Sequence, residues 1–88
     1  MPRVLAHPVI RRLCCACPTA DEMLLWEWLV EHLDPACFHV EATAMDEAGV
    51  TRETELLFVS ELDARRFERW ALARGFAVVD LPVARPGP

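Results

Sequence analysis

The spacing of hydrophobic positions changes several times along the chain and predicts four strands. Residues 9–17 (VIRRLCCAC) are rich in Val, Ile, Leu and Cys and end at a proline, as is typical of a buried strand. Residues 37–45 (CFHVEATAM) alternate between apolar and polar side chains and predict a half-buried strand. Residues 51–59 and 76–81 predict the other two, and the turn-forming DEAG at 46–49 joins the second strand to the third as a hairpin. In the second strand, one face is expected to hold Phe38, Val40, Ala42 and Ala44, and the other His39, Glu41 and Thr43.

A first helix is predicted over residues 20–33. Thr19 and Glu22 have the spacing of a capping box, and Pro35 disfavours a helical conformation at the residue before it. The helix is amphipathic, so one broad face is expected in the core. That face holds Met23, Leu25, Trp26, Leu29, Val30 and Leu33.

A second helix is predicted to begin after Ser60, with Asp63 in the box position. Gly75 is suited to the left-handed residue that ends a helix, and Phe76 is expected to contact Leu72 across that cap. The core stripe of this helix is expected to hold Ala64, Phe67, Trp70 and Ala71, and its outer face Arg65, Arg66 and Arg69.

The order of these elements is strand, helix, strand, strand, helix, strand. Two such halves joined by a hairpin predict a ferredoxin-like α+β fold, a four-stranded antiparallel sheet with two helices on one face. An 88-residue chain is long enough for one domain. We therefore expect a single domain over residues 9–82, an N-terminal arm over 1–8 and a disordered tail over 83–88, which is rich in proline.

Two features predict a surface for a partner. The first and last strands are apolar on both sides, so the sheet face that the helices leave open is expected to be partly apolar and to favour a protein partner or a homodimer. Leu24 and Trp28 fall on the shoulder of the first helix opposite its core face and form a second small apolar stripe. The predicted partner-binding residues are Leu24, Trp28, Glu31 and Glu41.

Charge is distributed unevenly along the chain. Residues 21–63 carry twelve acidic residues and one arginine, whereas residues 1–20 and 64–88 are each net positive, and the whole chain has a net charge of −5. An acidic middle repels nucleic acid, so we expect no direct nucleic-acid binding. It suits a basic protein partner, and it also keeps a chain with 53% hydrophobic residues in solution.

No apolar run reaches the roughly 18 residues that span a membrane, and the N-terminus lacks the apolar centre of a signal peptide. A cytoplasmic protein without membrane contact is therefore expected. In that compartment thiols stay reduced, so the four cysteines do not predict a disulfide framework.

Three of those cysteines lie within four positions, in the stretch CCAC. Cys15 and Cys17 point the same way from a strand and can supply a two-thiolate clamp for Zn²⁺ or Cu⁺, with Cys14, Cys37 and His39 as further candidate ligands. The spacing of Cys14 and Cys17 is also that of a redox dithiol. The interpretation that we favour is that these cysteines pack as small hydrophobic residues in a core strand, with no cofactor.

The stretch ELLFVSELDARRFERWALARGFAVVDL is similar to the second half of many ferredoxin-like regulatory domains, including RraB-like regulators of ribonuclease E. The similarity covers the last third of the chain and rests on the order of strand, cap, helix, glycine and strand. It implies a protein that works by binding an enzyme, and it assigns a role to no residue.

The chain lacks a Gly-rich phosphate loop and a nucleophile elbow, and its paired acids lie at caps and turns, so we do not expect an enzyme. The function predicted from the sequence is a small acidic protein-binding module that regulates or inhibits another protein. Nucleic-acid-processing enzymes and host defence systems, the latter as targets of phage-encoded inhibitors, are two such classes of partner in bacteria and phages. The alternative is a thiol- or metal-binding protein that uses the CCAC cysteines.

Overall fold

The computed structural model describes residue 5 and residues 7–83. Most of the predicted arm and tail therefore lie outside the described residues. The strands are Arg11–Pro18 (β1), Phe38–Met45 (β2), Thr51–Phe58 (β3) and Ala77–Leu81 (β4), and the helices are Glu22–His32 (α1) and Glu61–Ala73 (α2). The sheet has the order β2-β3-β1-β4 with antiparallel neighbours, which confirms the predicted ferredoxin-like α+β fold. No helix within residues 7–83 is both long enough and apolar enough to cross a membrane.

The hydrophobic core lies between one face of the sheet and the two helices. Leu13 and Cys15 of β1 and Leu56 and Phe58 of β3 are fully buried on this face, because alternate strand residues point to the same side. The helices cover them with apolar side chains spaced three or four positions apart. These buried helix residues are Leu25 and Leu29 of α1 and Ala64, Phe67 and Ala71 of α2.

The ends of α2 follow the sequence closely. The Ser60 hydroxyl accepts a hydrogen bond from the Asp63 amide at 3.3 Å, which is the predicted N-cap. At the other end Gly75 has φ +83°, and the Phe76 amide donates to the Ala71 carbonyl at 3.0 Å, as in a Schellman cap. Leu72, the predicted contact of Phe76, is exposed, and the Phe76 ring meets the Trp70 ring edge to face.

The predicted capping box of α1 is wrong. A 3₁₀ turn, Thr19–Asp21, precedes the helix, so Thr19 is already in a turn and its hydroxyl is buried without a hydrogen-bond partner. The Thr19 amide donates to the Val50 carbonyl at 2.8 Å instead. Glu22, predicted as the second residue of the capping box, instead forms an ion pair, since its carboxylate lies 3.4 Å from Arg52 of β3. Contacts with the β2–β3 hairpin therefore position the start of α1.

The predicted core face of α1 is only partly correct. Leu25, Leu29 and Leu33 are buried and Trp26 is partly buried, but Met23 and Val30 are 66% and 71% exposed. The reason is that the core is formed on the side of α1 that faces α2 as well as on the side that faces the sheet. Apolar burial is thereby rotated away from Met23 and Val30 and toward Trp28.

A β-bulge changes the two faces of β2. Val40 pairs with Leu56, but the next paired residue is Ala42, opposite Glu55, so that Glu41 is the extra residue. Phe38 and Val40 lie on the helix side as predicted, whereas Ala42 and Ala44 lie on the open side of the sheet, opposite to the prediction. The first half of β2 thus joins the core, and the residues from Glu41 to the strand end are exposed.

Candidate binding surfaces

The cysteines lie in three different environments. Cys15 and Cys17 point into the helix-covered core and are 0% and 2% exposed, while Cys14 points to the open face of the sheet and is half-buried. Cys37 lies in the 3₁₀ turn before β2, and His39 lies on the open face beside Leu57. Among the described residues no three His, Cys, Asp or Glu side chains converge on a position that could hold a metal ion.

The core cysteines are poor thiolates. Burial raises the pKa of Cys15 to about 12, with a smaller contribution from the neighbouring thiols. Burial, followed by the charges of Asp21 and Glu22, also raises the pKa of Cys17. The pKa of Cys14 is raised by its own burial and then by Glu53 and Glu55. Because the thiolate is the metal ligand and the nucleophile, these shifts disfavour both metal binding and redox chemistry.

Trp28 belongs to the seam between the helices and not to a separate stripe on α1. Its ring stacks on Trp70 at a centroid distance of 5.4 Å and meets Phe67 edge to face at 5.8 Å. On its other side the ring of His32 stacks at 4.8 Å, and His32 Nδ1 donates to the Trp28 carbonyl at 3.0 Å. Arg74 lies over the Trp70 ring at 5.3 Å. A stack of His32, Trp28, Trp70 and Arg74 therefore runs across the outer surface of the helices.

The predicted partner-binding residues are placed on opposite sides of the molecule. Leu24, Trp28 and Glu31 line one shallow groove on the helix side. Glu41 lies on the open face of the sheet, where it lines a different cavity. The structure therefore does not bring the four residues together, and their contact with a partner stays a prediction.

The open face of the sheet is a continuous surface that combines apolar and acidic side chains. Three rows cross it in the order β4, β1 and β3, defined by strand pairing: Leu81, Arg12 and Leu57; Val79, Cys14 and Glu55; Ala77, Ala16 and Glu53. Val79 is 58% exposed, and Ala77 and Glu53 are exposed as well. We call this set the open sheet face. Glu53 and Glu55 were not among the partner-binding residues predicted from the sequence. The alternation of β3 could have identified them, because it places them on the face opposite the buried residues of that strand.

One cation on the open sheet face is already neutralised. Arg12 donates to Glu55 at 2.9 Å, and its side chain is 33% exposed. Its Nε is buried without a hydrogen-bond partner. Next to this pair is a cavity of about 240 Å³ that Glu41 enters because of the bulge. Its lining residues are Val9, Arg12, Glu41, Leu57 and Val83.

An ion-pair cluster flanks the core on the helix side of the sheet. Arg11 contacts Glu61 and Asp80, each at 2.7 Å, and so links β1 to α2 and β4. Burial lowers the pKa of Arg11, but the hydrogen bonds and charges of Asp80 and Glu61 outweigh that effect and raise it overall. Asp80 lies on the helix side of β4, where its exposed carboxylate pairs with this guanidinium.

No protein-family model matches this chain, and searches of curated proteins and of solved structures found no match either.

Proposed function

We propose that this chain is a small acidic protein-binding module that regulates or inhibits another protein, and that it binds a basic surface of that protein through the open sheet face. The observation that supports this most directly is the composition of this face. Apolar side chains at Val79, Ala77 and Leu57 share one face of the sheet with the carboxylates of Glu53 and Glu55. Neither helix covers that face.

The charges on this face favour a basic partner over face-to-face pairing of two copies. The open sheet face carries the carboxylates of Glu53 and Glu55, and Glu41 lies beside it. Its one guanidinium among the described residues is that of Arg12, which is paired with Glu55. Two such faces in contact would bring like charges together in a partly desolvated interface, which costs free energy. A lysine- or arginine-bearing surface would compensate the same charges.

The alternative, a thiol- or metal-binding protein, finds less support. It needs thiolates at Cys15 and Cys17, and both side chains are buried in the core with a raised pKa. Binding to a protein, and not catalysis or metal storage, is therefore the role that we propose.

The proposal can be tested by capturing partners with the immobilised wild-type protein and three variants. Glu53→Lys reverses a charge on the open sheet face, and Glu27→Lys reverses an exposed charge on α1 without affecting that face. We expect a partner whose capture is lost with Glu53→Lys and with Val79→Arg but retained with Glu27→Lys. Circular dichroism would check that each variant is folded. If every captured protein binds all four forms equally, the open sheet face is not the binding surface and the proposal is wrong.

A further inference from the structure

The outer surface of the helices carries a basic groove of about 350 Å³. We call it the helix groove. It is lined by Trp28, His32, Arg66, Arg69, Trp70 and Ala73. Arg66 and Arg69 are exposed and make no ion pair with any described residue, although acidic residues outnumber basic ones in this chain. By contrast, ion pairs are made by Arg11, Arg12, Arg52 and Arg65. The unpaired arginines thus leave the helix groove with an uncompensated positive charge.

The tip of the β2–β3 hairpin has the opposite character. Met45 and Val50 are 49% and 63% exposed and flank two exposed acids, Asp46 and Glu47. One oxygen of Asp46 accepts hydrogen bonds from the amides of Val50 and Thr51 and so shapes the turn. Glu47 makes no ion pair with any described residue. The hairpin tip therefore presents carboxylates between two apolar side chains.

We propose that the hairpin tip of a second copy of this chain binds in the helix groove. In that complex Asp46 and Glu47 face Arg66 and Arg69, and the flanking apolar side chains contact the exposed edges of the two tryptophans. The proposal does not rest on the proposed function, because it needs the helix groove and the hairpin tip and not the open sheet face.

Geometry and charge favour this occupant. Arg66 and Arg69 are three positions apart on one helix, so their Cβ atoms are about 5–6 Å apart and both guanidinium groups can reach neighbouring carboxylates. A nucleic acid on the helix groove would also meet Glu27 and Glu31, which lie on the other side of the tryptophan pair. A second copy supplies acids and apolar groups in one short turn, so both halves of the contact are present in this chain.

The test is sedimentation equilibrium of the whole chain, up to about 1 mM, at about 0.05 M and 0.5 M NaCl. We expect self-association that weakens with salt. Arg66→Glu should raise the dissociation constant about fivefold or more, because it replaces attraction by repulsion. Arg65→Glu is the control, since it makes the same charge change one position away and outside the helix groove. It also breaks the Arg65–Glu61 ion pair, so circular dichroism must show that this variant is folded. Glu47→Arg should weaken association to a similar extent, and Glu27→Arg, with the same charge change, should not.

A mixing experiment separates this contact from a general effect of net charge. The double variant Arg66→Glu/Arg69→Glu loses the helix groove but keeps a functional hairpin tip. The Glu47→Arg variant loses the hairpin tip but keeps a functional helix groove. If the proposal is correct, a mixture of the two forms a complex more readily than either variant alone. A chain that stays monomeric up to about 1 mM overturns the proposal, as does association that all these variants leave unchanged. Loss of association through Val79→Arg alone would place the contact on the open sheet face instead.

Discussion

The core location of Cys15 and Cys17 leads to a sharp prediction about thiol reactivity. A variant with Cys14→Ser and Cys37→Ser retains only these two thiols, which are 0% and 2% exposed. Burial raises the pKa of Cys15 from its ordinary 9.0 to about 12, so at neutral pH its thiolate fraction is about a thousandfold lower than in the unfolded chain.

Burial also limits the access of a thiol reagent to Cys15 and Cys17, and this lowers the reaction rate further. A small domain with a free energy of unfolding of about 5 kcal/mol exposes its core in roughly one molecule in 5,000. We therefore expect the double variant to react with a disulfide reagent at a rate limited by unfolding, and to release two thiols promptly in denaturant. The wild-type chain should show two faster thiols, Cys14 and Cys37, which are half-buried.

Zinc provides the control for this assay. Cys15 and Cys17 are buried, and among the described residues no three His, Cys, Asp or Glu side chains converge on an ion position. Added zinc should therefore change neither the rate nor the number of reacting thiols. Reaction of the native double variant at a rate near that of the unfolded chain, or protection by zinc, would refute the packing interpretation. The CCAC stretch would then become the candidate site.

Four further predictions concern stability. The unfolded chain loses the Cys15 proton near pH 9.0 and the folded chain near 12. The free energy of unfolding, measured by urea denaturation, should therefore fall by roughly 4 kcal/mol as pH rises through this window. The Cys15→Ala variant should lack this part of the pH dependence. Ser60→Ala removes a cap and should cost about 1 kcal/mol in the same assay, whereas Thr19→Ala, which removes an unpaired hydroxyl, should cost less than about 0.5 kcal/mol or stabilise. Gly75→Ala should lower the free energy of unfolding by about 1–2 kcal/mol through its φ of +83° alone, because its new Cβ meets no atom within 4 Å. Trp28→Ala should cost about 3 kcal/mol in thermal melts through lost packing on Phe67 and Trp70, and a cost near zero would restore Trp28 to a free surface.

The features that could be predicted from the sequence depend on short stretches of chain. Ser60 and Gly75 delimit α2 because capping needs only a hydroxyl and a left-handed residue at the right spacing. The two faces of β1 are also local, since Leu13 and Cys15 alternate with Cys14 and Ala16 whatever the rest of the fold does. The order of such elements was enough to predict the ferredoxin-like fold. It did not give the place of every strand, because β4, expected beside β1 in the centre of the sheet, lies at its edge.

The wrong predictions concern residues whose burial or hydrogen bonding depends on a segment distant in the sequence. A helical wheel weighs all apolar side chains of α1 equally, and only the position of α2 makes Trp28 a packed residue and Val30 an exposed one. The bulge at Glu41 has no sequence signal in the alternation of β2, because a strict alternation continues across it. Likewise, the Thr19 amide donates to the carbonyl of Val50, a residue distant in the sequence that the pairing of β1 with β3 brings close.

The two proposed contacts are linked through the hairpin. Glu53, on the open sheet face, pairs with Ala44 in β2, immediately before the acidic tip at Asp46 and Glu47. In these two proposals, a basic partner on that face would lower the negative potential at the tip and so weaken the attraction of the tip to Arg66 and Arg69 of a second copy. Because coupling between two binding events is reciprocal, self-association must weaken partner binding by the same factor. Binding of the partner would then favour the single chain over the self-associated form.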